Sequence, residues 1–206
     1  MEQGTRNLIT AAAMTGLVLT GRTAGAADRE VLTLLVHVSN QAGTSSEALA
    51  RAQAQTDRIF QDIGVGIVWS DVAVEAYDPR CEGFSLFVTL LSPEMGGQLL
   101  SQGGRENVLG SAKSAAGRAF VHPGRISELG ARTRTNAEDL LGRVIAHEMG
   151  HLMLPEGHSQ IGLMSAAMET DPTRTSARFT VPQARAIRAL LESKATQPRA
   201  VASCGN

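Results

Sequence analysis

Only two cysteines stand in the 206 residues, and no Cys-x-x-Cys pair occurs, which excludes both a disulfide-rich scaffold and a cysteine-held structural zinc. Aromatic side chains make up 3%, with five Phe, one Trp and one Tyr, too few for the stacking platforms that single-stranded nucleic acid requires. Neither sign of charge prevails. Nineteen Lys and Arg face twenty Asp and Glu, for a formal net charge of -1 and a pI near 6.5. There is thus no basic field for nucleic acid and no acidic tail. No internal repeat or low-complexity linker divides the chain, whose length is that of one domain. With 43% hydrophobic residues and few rings, the core has to be aliphatic.

The N-terminus carries an apolar run, LITAAAMTGLVLTG at 8–21, after Arg6 and before the small residues TAGAA at 23–27. At 1.5 Å per residue the run covers about 21 Å, short of a hydrocarbon core of about 30 Å. The pattern predicts an export signal over 1–26, cleaved after Ala26 or Ala27. The expectation is a secreted or periplasmic single catalytic domain over 27–206, a monomer with no stable membrane insertion after cleavage.

Val31 to Val38 (VLTLLVHV) reads as a buried strand. Thr44-Ser-Ser-Glu47 matches a capping box, opening a helix whose apolar positions run to Ile63, with Gly64 placed for a left-handed end. Gly66–Ser70 and Phe84–Leu91 read as further strands. From Ser92 to Gly117 six glycines predict an irregular surface excursion, a possible lid, interrupted by a short strand at Val108–Ala112. Gly117 to Ile126 reads as a strand, which Pro123 pushes to a sheet edge. Thr135-Asn-Ala-Glu138 predicts a helix running on to Leu154, and Thr180-Val-Pro-Gln183 a last helix to about Glu192.

Three of the five histidines fall within twelve residues: His147-Glu148-Met-Gly-His151-Leu-Met-Leu-Pro-Glu-Gly-His158. Four apart on one helix, His147 and His151 share a face and can reach one metal ion. Glu148 sits one step around, where a carboxylate can act as general base on a water at the metal. Pro155 and Gly157 reverse the chain so that His158 can return as third ligand. Three neutral imidazoles leave one tetrahedral position open, the catalytic pattern for Zn2+, and hard cations would want oxygen ligands that no cluster here provides. Hydrolysis of an amide in a peptide or protein substrate is the expected reaction. Two alternatives stay open: a non-catalytic zinc-containing protein-binding module, and a zinc amidohydrolase acting on a non-peptide amide. Glu169 as third ligand would leave His158 without a role. His37 and His122, each alone in a predicted strand, are expected to be structural or exposed.

These residues resemble the metzincin clan of zinc metallopeptidases, and matrixins among them. His147, Glu148, His151, His158 and Ser159 match the extended motif, and Ile161-Gly162-Leu163-Met164 looks like the Met-turn, with Met164 beneath the metal. Leu154 stands where the clan has Gly, and His158 arrives one residue late. The resemblance covers 135–165. It implies an α+β fold, a twisted mixed sheet with an active-site helix and a C-terminal helix, and a metalloendopeptidase activity. It also implies that the strand around Arg118 to His122 holds extended substrate by backbone pairing. The one tyrosine, Tyr77, lies too far upstream for the Tyr that some metzincins place after the Met-turn. Asp78-Pro79-Arg80-Cys81 is similar to the segment with which matrixin propeptides plug their zinc, but it falls between predicted strands. In an oxidising compartment a Cys81–Cys204 disulfide is the expectation, and zinc inhibition by Cys81 the alternative.

Overall fold

The structure is a computed structural model that describes residues 32–71, 84–101 and 108–196. The expected export signal, Tyr77, Cys81 and Cys204 lie outside the described residues.

Strands β1 (Leu32–Asn40), β2 (Val65–Ser70), β3 (Ser85–Leu90), β4 (Gly110–Lys113) and β5 (Arg118–Val121) form one sheet in the order β2-β1-β3-β5-β4. All neighbours are parallel except β4, which runs antiparallel to β5 at the edge. The period of two in β1 sends Leu34, Val36 and Val38 to one face, and the register places Val36 beside Leu86 and Val88 beside Ala119. On that face they join a single apolar cluster with helices α1 (Ser46–Gln61) and α4 (Ala137–Met153), through Ile59, Phe60, Leu140, Val144, Ile145 and Met149. Each such side chain contributes about 1.5–3 kcal/mol on burial. The two helices touch at Gly142. A Cβ there would run into the Ala52 carbonyl oxygen and stand 2.6 Å from Gln55 Cβ, and the Thr56 hydroxyl donates to the Gly142 carbonyl at 3.0 Å.

The expected elements are present, most with ends shifted by one to three residues, but the strand expected over Gly117–Ile126 ends at Val121. Ser45, not Thr44, caps α1, its hydroxyl accepting from Ala48 N–H at 3.2 Å. Gly64 is left-handed at φ 74°. Asn136, not Thr135, caps α4, accepting from Asp139 N–H at 2.8 Å. Thr180 N–H donates to Gln183 Oε1 at 2.9 Å to open α5 (Val181–Ala195).

Two expectations are overturned. The glycine-rich stretch is not irregular throughout, since Pro93–Ser101 is a helix, α2. Gly96 sits within it because a side chain there would meet His122, Nδ1 lying 3.0 Å from where a Cβ would stand. This glycine gives close approach rather than a turn. The strand at Arg118–Val121 is not an edge either, because β4 covers it. Pro123 breaks no ladder. It lies in the first turn of a further helix, α3 (Pro123–Thr133), where its missing N–H is no loss. No helix among the described residues is long and apolar enough to cross a membrane.

Candidate metal centre

Helix α4 is fixed before its histidines are reached. Asn136 satisfies an orphan donor, Glu138 and Asp139 place negative charge in the first turn, and Arg51 of α1 pairs with Glu138 at 3.2 Å. At its far end Leu154 turns extended. Gly157 at φ 110° and Gly162 at φ 80° adopt conformations that a side chain would strain. Between them the chain folds back: Ser159 N–H donates to Met164 O at 2.8 Å, and the Ser159 hydroxyl to Ile161 O at 2.6 Å. Leu163 N–H donates to Arg178 O at 2.8 Å. Met164 is 2% exposed and packs against Gly150, where an added Cβ would stand 3.1 Å from Met164 Cε and still nearer its sulfur.

This framework brings together His147, His151 and His158. His151 Nε2 lies 3.0 Å from His147 Nε2 and 3.3 Å from His158 Nε2. All three ligand atoms are within 4.8 Å of one another. Three nitrogens held at 2.0–2.1 Å on tetrahedral corners would be about 3.3–3.4 Å apart. The two spacings to His151 Nε2 are therefore close to those of a ligand set on one ion. His147 Nδ1 stands 2.8 Å from the Leu163 carbonyl. A carbonyl only accepts, so Nδ1 carries the proton and Nε2 keeps its lone pair.

The electrostatics agree. Burial, with His151 and His158 nearby, pushes His147 down to about 4 against the opposing pull of the Leu163 carbonyl. Burial and then His158 lower His151. Both rings are neutral near pH 7, the form a metal needs. Burial falls steadily across the trio, from His147 at 3% exposed through a half-buried His151 to an exposed His158. Glu148 is buried at 4% exposed and faces Gly110 of β4. The Ser114 hydroxyl ties the turn after β4 to α4, donating to His151 O at 3.0 Å.

Solved structures similar to this chain include two peptidases. One is a zinc-dependent peptidase from Methanocorpusculum labreanum, with 14% identity over 76% of this chain and 99% of the other and a TM-score of 0.46. The other is an archaemetzincin from Methanopyrus kandleri, with 17% identity over 79% of this chain and 98% of the other and a TM-score of 0.47. No protein-family model and no curated protein matches the sequence.

The ligand nitrogens of His147, His151 and His158 thus come together, with Glu148 next to His147 on α4 and Met164 packed on Gly150 of the same helix. Among the described residues the three histidines are the one group of three or more possible metal-ligating side chains. His37 is buried elsewhere, stacked on Phe87 with ring centres 4.8 Å apart. His122, also buried, precedes α3. Three contributors were missed. The Leu163 carbonyl has no side-chain signature. Gly110 falls in the short strand expected at Val108–Ala112, but nothing in the sequence ties it to Glu148. Arg143, one turn before His147, donates from Nη2 to Pro172 O at 2.9 Å and Thr175 O at 3.0 Å, and so binds the segment beyond the Met-turn to α4. Its long sequence separation hid that role.

Proposed function

We propose that the chain is an exported, metzincin-type zinc metalloendopeptidase. The carrying observation is the convergence of three imidazoles, with His151 Nε2 3.0 Å from His147 Nε2 and 3.3 Å from His158 Nε2, and Glu148 next to the first of them on the same helix. His147 and His151 would hold zinc from the rigid helix and His158 from the exposed loop. A soft-to-borderline ion suits three imidazoles better than a hard one does. When bound, zinc would acidify a water and polarise the scissile carbonyl. Glu148, too far around the helix to be needed as a ligand, accepts the proton of the attacking water at a carboxylate oxygen. Met164 and Leu163 support the trio from beneath, the one by packing on Gly150 and the other through its carbonyl.

The substrate in this reading is an extended peptide. Among the described residues β4 ends the sheet next to Glu148, so its outer backbone edge is where an added strand would pair, in place of the Arg118–His122 segment first expected. Export rests on the sequence at 8–27.

Metal analysis of the purified protein, combined with a peptide-library digest by wild type and Glu148→Ala, tests the reading. One zinc per chain in both proteins, with cleavage by wild type alone, is expected. Wild-type protein that binds zinc but cleaves no peptide would overturn the endopeptidase assignment. Cleavage by Glu148→Ala at the wild-type rate would overturn the role of the glutamate.

A further inference from the structure

The glutamate of the site rests on bare backbone. Gly110 is buried at the start of β4, opposite Val121 of β5. A Cβ on it would stand 2.7 Å from both Cγ and Oε1 of Glu148 and 2.8 Å from Cδ, closer than real Cβ contacts come. Gly110 is not among the positive-φ glycines, so its backbone makes no demand for glycine. The demand comes from the carboxylate.

Both backbones are held. Glu148 lies inside α4, whose neighbour His147 is tied to Leu163. On the other side, α3 grips the approach to β4: Arg125 Nη1 donates to Val108 O at 2.9 Å, and His122 N–H to Leu109 O at 2.9 Å. If a methyl group were added at 110, the atoms it would press on are Cγ, Cδ and Oε1 of the Glu148 side chain. The contact falls on the side chain and on neither held backbone, so the fold is kept while the reacting group is displaced. A misplacement of about 1 Å can lower a rate 100-fold.

We propose that Gly110 is a positioning residue for Glu148, the edge strand's bare backbone setting where the carboxylate stands. The inference rests on the reading of Glu148 as general base. It further implies that the strand offered to a peptide and the seat of the base are one piece of chain, so that the two keep a fixed spacing.

The test is Gly110→Ala in the zinc-loaded protein, measured by kcat and KM on a cleaved peptide, zinc content, Tm, and crystal structures of variant and wild type. A fall in kcat of about 10- to 100-fold is expected, with KM changed less than about threefold, one zinc per chain, Tm within a few degrees, and the Glu148 carboxylate displaced by roughly 1 Å. Wild-type kcat, an unmoved carboxylate, loss of zinc or a collapsed fold would each overturn the proposal. If wild type cleaves nothing, the functional reading fails, and the crystallographic comparison still decides whether Gly110 seats Glu148.

Discussion

Replacing Gly142 with alanine sets two well-calibrated effects against each other. In a helix interior the change ordinarily stabilises by roughly 0.8–1 kcal/mol through backbone entropy. At Gly142 the new methyl would overlap the Ala52 carbonyl oxygen and stand 2.6 Å from Gln55 Cβ and 3.0 Å from its Cγ. Gln55 Cγ can rotate away, but its Cβ and the Ala52 carbonyl are fixed to α1. Relief therefore requires α1 and α4 to separate, which stretches the 3.0 Å bond from Thr56 to Gly142 O. Overpacking of this kind costs about 1–3 kcal/mol, and a weakened buried hydrogen bond adds about 1. Less the propensity gain, Gly142→Ala loses roughly 1–3 kcal/mol, a fall in Tm of about 2–10 °C for a chain of this length. Calorimetry of the metal-free proteins measures it. Gly97→Ala in α2 is the control, since a Cβ there has no neighbour within 4 Å and propensity alone should raise Tm. A Gly142→Ala protein that melts above wild type would refute the helix contact as described.

His158→Ala should weaken zinc binding in equilibrium dialysis yet leave metal-free stability within about 0.5 kcal/mol, as for exposed positions generally, whereas His147→Ala should lower both. Burial holds His122 and His147 down to about 4, so the unfolded chain takes up protons first. The stability of the metal-free protein should be complete above pH 6.5 and decline as pH falls toward 4. Urea melts at pH 7.5, 6 and 5 read it, and a flat profile would contradict the depressed values. Arg143→Met removes the donor held by Pro172 O and Thr175 O. It should cost about 1–3 kcal/mol and speed amide exchange at 173–175, and unchanged exchange there would show that the clamp is idle.

Legibility in the sequence followed the range of the interaction. The histidine trio, its glutamate and the Met-turn lie within eighteen residues and obey helical spacing and turn chemistry, so they could be read locally. Caps were right in kind and off by one at Ser45 and Asn136, because adjacent Thr, Ser and Asn residues compete for the same orphan donor. Pro123 misled because a proline that ends a strand and one that opens a helix look alike until the following residues are placed. Gly96 reads as loop and Gly110 as a strand position with no tie to the site, because the sequence does not show what a missing side chain makes room for. Their partners, His122 and Glu148, are 26 and 38 positions away.

The same contrast bears on the order in which the centre assembles. All three ligand candidates fall within twelve residues, His147 to His158, a loop whose closure entropy is small. An unfolded or half-folded chain can therefore grip zinc with its native ligands before the sheet exists. Metal captured that early is bound by both states, and it shifts the folding equilibrium by less than its affinity for the finished protein implies. Gly110 and β4 reach Glu148 only after distant strands have paired. Under the proposed function, metal loading and catalytic competence are thus separable events, because the ligands are local in sequence whereas the strand that seats Glu148 is not.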